Sequence, residues 1–132
     1  MDTTSTRDLF ERYHACWEAR DPARIAELHT PDSVFHLHSG QAPARGRDEI
    51  RAAAADSFAL VPDLAFDLIA LRVGDDFWAA RMKMTGTSAT GTAVAIDLAD
   101  FVLVRDDEVL EKHSYVDGPA MQAALTPPAH TA

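Results

Sequence analysis

Hydrophobic residues in the first sixty positions recur at three- and four-residue spacing, which is the period of amphipathic helices. The pattern predicts long helices over residues 7–19 and 47–60. Between them, an Asp-Pro pair is typical of an N-cap and a first helical position, so a short helix should span residues 22–28. The polar residues 1–6 and the Pro-rich residues 126–132 should form flexible ends.

The later part of the chain alternates between hydrophobic and polar residues, which is the two-residue period of β-strands. Strands are predicted over residues 64–73 and 77–86, followed by a long hairpin over residues 94–116. The hairpin should turn at residues 105–108, where two adjacent aspartates suit a tight turn. A short helix is predicted over residues 120–125.

One earlier segment, SVFHLH, also alternates as a strand does. Val34, His36 and His38 should share one face of this strand, and Phe35 and Leu37 the other. The element order is therefore helix, helix, strand, helix and then four strands, which predicts an α+β fold. We expect three N-terminal helices packed on a curved, mostly antiparallel sheet, a cystatin-like roll that encloses a cone-shaped cavity.

Length and composition restrict the class of protein. A chain of 132 residues with 47% hydrophobic content suits one domain over residues 1–132. A net charge of −9 argues against binding to nucleic acid or to an anionic membrane. No apolar run is long enough to span a bilayer and no signal peptide is visible, so we expect a cytoplasmic protein. Cys16 is the single cysteine, which excludes an internal disulfide framework.

Asp100 is the residue that does not fit its surroundings. It lies between Ala99 and Phe101, in the middle of the first hairpin strand, which is otherwise typical of a buried strand. A carboxylate at such a position must be paired, hydrogen-bonded, protonated or part of a cavity wall. This makes Asp100 the leading candidate for a functional residue.

Three segments resemble a known superfamily. They are RYHACWEARDPARIAELHTPDSVF near the start, GRDEI at the start of the third helix, and DFVLVRDDEVLEKHSYVD near the end. Together with the element order, they resemble the nuclear transport factor 2-like superfamily, and within it the SnoaL-like and ketosteroid-isomerase-like proteins. This superfamily hosts many chemistries, so the resemblance implies the fold more strongly than the reaction.

The resemblance implies roles for particular residues. Ketosteroid isomerase holds its enolate with a tyrosine and a protonated aspartate, and Tyr13 and Asp100 are similar to them in placement. Leu37 stands where that enzyme has its base, so a literal steroid isomerase is not expected. In SnoaL-like cyclases a His–Asp pair transfers protons, which His36 and Asp100 could do. Limonene-epoxide-hydrolase-like relatives use an Asp-Arg-Asp set, for which no pocket arginine is evident here.

The register of the hairpin decides which residue lies opposite Asp100. A two- or four-residue loop places His113 there, whereas a three-residue bulged loop places Lys112 there with Ser114 alongside. Histidine would form an Asp–His pair suited to proton transfer near neutral pH, and lysine would supply a cation for an enolate. The sequence leaves both alternatives open.

Further residues are expected to bind a ligand in the cavity. They are Trp17, His38, Phe58, Trp78, Met82, Met84, Lys112 and His113. His36 and His38 could bind a metal, but the sequence shows no third ligand at a recognisable spacing, so we expect no metal. No cofactor motif is present either.

These observations predict a cofactor-independent isomerase, cyclase or dehydratase that acts on a small, largely apolar carbonyl compound such as a polyketide or terpenoid. His36 would be the base and Asp100 the acid or oxyanion donor, with help from Tyr13. The alternatives are a non-catalytic small-molecule-binding module and an epoxide-hydrolase-like enzyme. The last strands are apolar on both faces, so we also expect a homodimer.

Overall fold

The computed structural model describes residues 2–126 as four helices and six strands. The helices are α1 Thr3–Glu18, α2 Pro22–Glu27, α3 Gly46–Leu60 and α4 Gly118–Leu125. The strands are β1 His29–His38, β2 Ala44–Arg45, β3 Ala65–Val73, β4 Phe77–Thr87, β5 Ala93–Arg105 and β6 Glu108–Val116. The predicted α+β fold is confirmed, and the short β2 was missed because it lies within a predicted loop. No helix within residues 2–126 is long and apolar enough to cross a membrane.

The six strands form one curved sheet in the order β2-β1-β6-β5-β4-β3. All neighbouring pairs are antiparallel except β1 and β6, which are parallel. The exception arises because α3 and four strands separate β1 from β6 in the chain, so the two are not joined by a hairpin. The sheet is therefore a meander of β3 to β6, extended beyond β6 by β1 and β2.

The first helix begins earlier than predicted. The side chain of Asp2 accepts a hydrogen bond from the backbone N–H of Ser5 and caps α1, as an aspartate at an N-cap does. Thr6 is fully buried, and its hydroxyl donates to the backbone oxygen of Asp75 at 2.7 Å. The expected frayed arm over residues 1–6 is therefore wrong for residues 2–6. The predicted tail lies outside the described residues from position 127 onward.

The two faces of the sheet differ in character along the whole of β5. The side chains of Val94, Ile96, Leu98, Asp100 and Val102 are buried on the inner face, while the residues between them are exposed. This alternation is the period of a strand with one face against the core. The helices cover the inner face, so the core and the cavity lie between sheet and helices.

The β5–β6 hairpin combines a two-residue turn with a bulge. Asp106 and Asp107 both have positive φ angles, 51° and 62°, which is the conformation of a type I′ turn. Val104 pairs with Val109, but Leu103 pairs with Glu111, so Leu110 is an extra residue in β6. One extra residue moves every later side chain of the strand to the other face.

The bulge settles the register that the sequence left open. Asp100 pairs with Ser114, so it lies directly opposite neither Lys112 nor His113. Lys112 and Ser114 share the inner face with Asp100, as in the second alternative, although the cause is the bulge and not a longer loop. His113 is paired with Phe101 and lies on the outer face.

A buried chain of hydrogen bonds joins α1 to the bulge. The Ser33 hydroxyl donates to the backbone oxygen of Leu110 at 2.9 Å, so it must accept the Nδ1–H of His29 at 2.8 Å. His29 then accepts at Nε2 from the hydroxyl of Tyr13, also at 2.8 Å. Burial, together with the positive charges of Lys112 and Arg47, lowers the pKa of His29 to about 3.

The turn predicts a position-specific effect on stability. Asp106→Val should lower the free energy of unfolding by about 1–2 kcal/mol, because a β-branched residue resists a positive φ. Glycine adopts a positive φ readily, so the free energy of unfolding of Asp106→Gly should stay within about 1 kcal/mol of the wild-type value. Urea denaturation measures both, and a valine variant as stable as the wild type would contradict the assigned turn.

The neutral His29 predicts a loss of stability in acid. Its pKa is about 3 in the folded chain against about 6.5 when unfolded, so only the unfolded chain takes up this proton as the pH falls below about 6.5. The free energy of unfolding should fall by about 1.4 kcal/mol per pH unit from this group between pH 6 and pH 4. His29→Gln should be less stable at pH 7, but its free energy of unfolding should change less steeply with pH. Urea titrations at several pH values measure this, and equal slopes for the variant and the wild type would refute the claim.

Candidate functional site

A cavity of about 110 Å³ lies between the helices and the inner face of the sheet. Its wall is mostly hydrophobic, with contributions from α1, α3, α4 and the inner faces of β1, β4, β5 and β6. The polar groups in this wall include Tyr13, His14, Asp100, Lys112 and Ser114. An apolar cavity with a few convergent polar groups is the usual form of a small-molecule site.

Asp100 is held by two partners at the polar end of the cavity. The Ser114 hydroxyl donates to its Oδ1 at 2.6 Å, and the Lys112 ammonium lies 3.8 Å from its Oδ2. Asp100 is 6% exposed and Lys112 is 5% exposed. The carboxylate predicted to be paired, or to line a cavity, does both.

Lys112 is also surrounded by aromatic rings. Its Nζ lies 4.3 Å from the ring centre of Trp17 and 4.9 Å from those of Tyr13 and Phe35. These distances are typical of cation–π contacts, which stabilise an ammonium more strongly when water is excluded. The rings and Asp100 together fix this cation in the cavity wall.

Tyr13 lines the cavity, but its hydroxyl proton is already used. The hydroxyl donates to His29, so in this arrangement it offers no donor to an oxyanion, in contrast to the role expected from the sequence. Burial raises the pKa of Tyr13, and the Lys112 ammonium opposes that shift. Lys112 is therefore better placed than Tyr13 to face a developing negative charge.

Trp17 carries a second polar group in the wall. Its Nε1 is buried and has no hydrogen-bond partner among the described residues, although it lies close enough to the Tyr13 oxygen to favour the phenolate weakly. A buried N–H without a partner costs about 1–3 kcal/mol, which a ligand acceptor can recover. Trp17 thus lines the cavity as expected and could donate to a ligand.

The other expected contact residues divide into two groups. Trp78, Met82 and Met84 line the cavity as predicted, and Leu37 is also part of the wall. Phe58 is not part of the lining. It packs against Trp17 with ring centres 5.4 Å apart, because it lies on the side of α3 behind that ring.

His36, His38 and His113 lie together on the outer face of the sheet. The alternation of β1 turns Phe35 and Leu37 inward, so the two histidines of that strand point away from Asp100. The predicted His36–Asp100 pair is therefore wrong, and so are the ligand contacts of His38 and His113 in the cavity.

The same arrangement places a third histidine beside the two of β1. His36 and His113 are paired across the parallel strands β1 and β6, and one nitrogen from each of the three histidines lies within 4.8 Å of the others. The third nitrogen ligand that sequence spacing did not show is thus supplied by a strand 75 residues further along the chain than His38.

His14 is a cavity residue that sequence reasoning missed. It stacks on Phe10 one helical turn earlier, with ring centres 5.5 Å apart, and its Nε2 lies 2.9 Å from Glu18. The spacing of residues 10, 14 and 18 along α1 could have revealed this row.

The lining from residues 2–126 contains one carboxylate, that of Asp100, and no arginine. The Asp-Arg-Asp set is therefore not assembled in this cavity. A carboxylate beside a desolvated ammonium can accept a proton while the cation stabilises negative charge on oxygen.

Comparisons with known proteins agree with this fold. The sequence profile of the SnoaL-like domain matches residues 10–112. A search of curated proteins found no match. Three similar solved structures cover nearly the whole chain.

The first is a protein with a ketosteroid-isomerase-like fold from Catenulispora acidiphila, in complex with trimethylamine. It has a TM-score of 0.83 and 18% identity over 93% of this chain and 95% of its own. The second is a SnoaL-like protein from Jannaschia sp. CCS1, suggested to be a polyketide cyclase. It has a TM-score of 0.81 and 20% identity over 96% of this chain and 95% of its own. The third is TsrD from Streptomyces laurentii, which has a TM-score of 0.78 and 24% identity over 97% of this chain and 99% of its own.

The structural likeness, at these identities, establishes the shared fold. The profile match covers most of the chain and falls on the helices and strands that build the cavity. The chain therefore belongs to the SnoaL-like domain family, within the nuclear transport factor 2-like superfamily.

Proposed function

We propose that the chain is a cofactor-independent acid–base enzyme that acts on a small, largely apolar carbonyl compound by way of an enolate. The observation that carries this proposal is the buried Lys112–Asp100 pair at the polar end of an otherwise hydrophobic cavity. The family includes proteins suggested to be polyketide cyclases, and cyclisation and isomerisation of carbonyl compounds both pass through such an enolate.

The proposed first step transfers a proton from carbon to Asp100. The substrate carbonyl oxygen would lie beside the Lys112 ammonium, and the Asp100 carboxylate would take the proton from the adjacent carbon. The electron pair of the broken C–H bond then moves onto oxygen and forms the enolate. Water is largely excluded here, so the ammonium stabilises that charge more than it could in solution.

The second step returns the proton or forms a carbon–carbon bond. Asp100 can give its proton to a different carbon, which completes an isomerisation. Alternatively, the enolate carbon can attack a second carbonyl carbon of the same molecule, the electron pair of that C=O bond moves onto its oxygen, and Asp100 gives its proton to this oxygen, which completes a cyclisation. Ser114 would orient Asp100 through the 2.6 Å hydrogen bond in both cases. The indole N–H of Trp17 is available as an additional donor to the substrate.

The size of the cavity favours a small substrate. A volume of about 110 Å³ is smaller than that of typical drug-sized sites, which are roughly 300–1,000 Å³, and an engineered cavity of about 150 Å³ holds benzene. A single-ring compound therefore suits the cavity better than a fused polyketide. Met82 and Met84 line the wall, and their flexible side chains could make room for a somewhat larger ligand.

The second candidate is a binding module without chemistry. It is favoured by the fact that both oxygens of Asp100 already have a partner, as in a purely structural ion pair. Binding of small apolar compounds without any conversion would support this alternative. A related fold that binds trimethylamine indicates that such cavities accept small ligands.

Exchange of substrate hydrogen for deuterium tests the enzyme directly, because it reports enolate formation whatever the final product. A panel of single-ring ketones and 1,3-diketones is incubated with the protein in D₂O and followed by proton NMR. Asp100→Asn should lower the exchange rate about 10²–10⁴-fold, since it removes the proton acceptor. Lys112→Met should lower it to a similar extent.

Asp97→Asn is the matched control, because it makes the same change three residues earlier on the exposed outer face of β5. It should leave the exchange rate unchanged. Near-UV circular dichroism checks that each variant keeps its packed core, since an unpaired charge at this site is destabilising. Equal exchange rates for the wild type and Asp100→Asn would rule out the proposed base.

We also propose that two copies of the chain pair through the outer face of the sheet. Phe101 and Tyr115 are exposed there by 44% and 52%, and Phe77 stacks on Phe101 with ring centres 5.9 Å apart. A patch of exposed aromatic residues on one face is typical of a protein interface.

Light scattering should therefore give twice the mass of one chain at micromolar concentration, and Phe101→Glu should give a single chain. Leu60→Glu changes an equally exposed hydrophobic residue on the helical side and should remain a dimer. A wild-type monomer at these concentrations would contradict the proposed assembly.

A further inference from the structure

The outer face of the sheet holds a cluster of three histidines that the proposed reaction does not use. His36 and His38 stand two residues apart on β1, and His113 is paired with His36 on the adjacent strand β6. All three rings are half-buried, and they lie on the opposite face from Asp100 and Lys112. We propose that His36, His38 and His113 form a binding site for a divalent transition-metal ion, with Zn²⁺ as the best-fitting representative.

The spacing of the rings is close to what a metal requires. The His36 and His38 ring centres are 3.7 Å apart, those of His38 and His113 5.2 Å, and those of His36 and His113 6.1 Å. One nitrogen from each ring lies within 4.8 Å of the others. In a tetrahedral zinc site the nitrogens are roughly 3.3 Å apart, given Zn–N bonds of about 2.0–2.1 Å. Small rotations of these half-buried side chains would bring the three nitrogens to that separation.

The hydrogen bonds prepare two of the nitrogens for a metal. Glu111 accepts from Nε2 of His113 at 2.9 Å, so that ring carries its proton on Nε2 and presents a lone pair at Nδ1. Nε2 of His38 lies 2.9 Å from that Nδ1, so it donates the hydrogen bond between the rings. A bound ion would take the place of the shared proton and be held by both nitrogens, and His38 would then carry its proton on Nδ1, taken up from solvent.

A carboxylate on the far nitrogen of a ligating histidine is a common companion of metal sites, because it fixes the ring and strengthens the ligand. Glu111 fills that position here. Tyr115 stacks on His38 with ring centres 4.3 Å apart and planes 7° from parallel, which fixes a second ring. Two of the three ligands are therefore oriented before any ion arrives.

The ligand type of the cluster also suits a transition metal. Imidazole nitrogens favour zinc, copper, nickel and iron over calcium and magnesium. Three such ligands leave further coordination positions of the ion for water. Because the ligands come from β1 and β6, the ion would also link these two parallel strands.

Binding of zinc to the purified chain, prepared without a histidine tag, tests the site. Titration calorimetry and dialysis followed by elemental analysis should give one Zn²⁺ per chain with a dissociation constant in the micromolar range or below. The melting temperature should rise with zinc concentration, because the ion binds the folded state. Calcium and magnesium should produce neither effect.

Substitutions locate the ion. His38→Ala and His113→Ala should each weaken zinc binding at least tenfold, and Glu111→Gln about tenfold, since it removes the supporting carboxylate. His14→Ala is the matched control, because His14 lies on α1 and not on the outer face of the sheet, and it should bind zinc as the wild type does. The D₂O exchange rate should be the same with and without zinc, which separates this site from the proposed enzyme site.

Histidine NMR provides a readout that does not depend on the variants' folding. Zinc should shift the imidazole signals of His36, His38 and His113 in the wild type and leave that of His14 in place. The proposal is overturned if millimolar zinc does not bind, if half an ion binds per chain, or if His38→Ala and His113→Ala bind zinc as tightly as the wild type.

Discussion

The buried pair of Lys112 and Asp100 is the interaction on which the rest of the site depends. Removing two charges from water costs several kcal/mol per ion, so the pair persists only because each charge has further partners. Asp100 accepts from Ser114, and Lys112 lies against Trp17 and two other rings. The rest of the cavity wall is hydrophobic, so little water screens the two charges and the electric field of the ion pair is strong. The features that stabilise the pair are thus the same ones that make it chemically useful.

A single extra residue in β6 brings that pair together. Without the bulge at Leu110, the two-residue turn would put His113 on the inner face opposite Asp100, and Lys112 would point to the outer face. The carbonyl of the bulged residue does not remain unpaired, because Ser33 donates to it and so connects it to His29 and Tyr13. The local irregularity is therefore tied into the core, which explains how it can fix the register.

The two faces of the sheet carry separate chemistry as a result. The inner face presents a cation, a carboxylate and apolar walls to a small molecule, whereas the outer face gathers three histidines beside exposed aromatic residues. The strands β1, β5 and β6 contribute to both faces, because adjacent residues on a strand point in opposite directions. A substitution at Lys112 consequently changes the inner face, and a substitution at His113 changes the outer face.

The sequence by itself determined the element order, the α+β class and the hairpin turn, because these follow from local periodicity and turn chemistry. It also identified Asp100, because a carboxylate within a hydrophobic strand is visible in the sequence. Trp17 follows from the helical spacing along α1, and Trp78, Met82 and Met84 follow from the two-residue alternation along β4. The residues near the N-terminus were misassigned because the partner of Thr6 is Asp75, which lies far along the chain.

Only the tertiary structure decided which residues face Asp100. A one-residue bulge leaves no mark in hydrophobic patterning when both faces of a strand are partly apolar, so Lys112 and His113 could not be told apart in advance. The parallel pairing of β1 with β6 joins residues about 75 positions apart, and it brings His36 and His38 beside His113. Contacts between distant segments depend on packing and not on local sequence, which is the physical reason for this division.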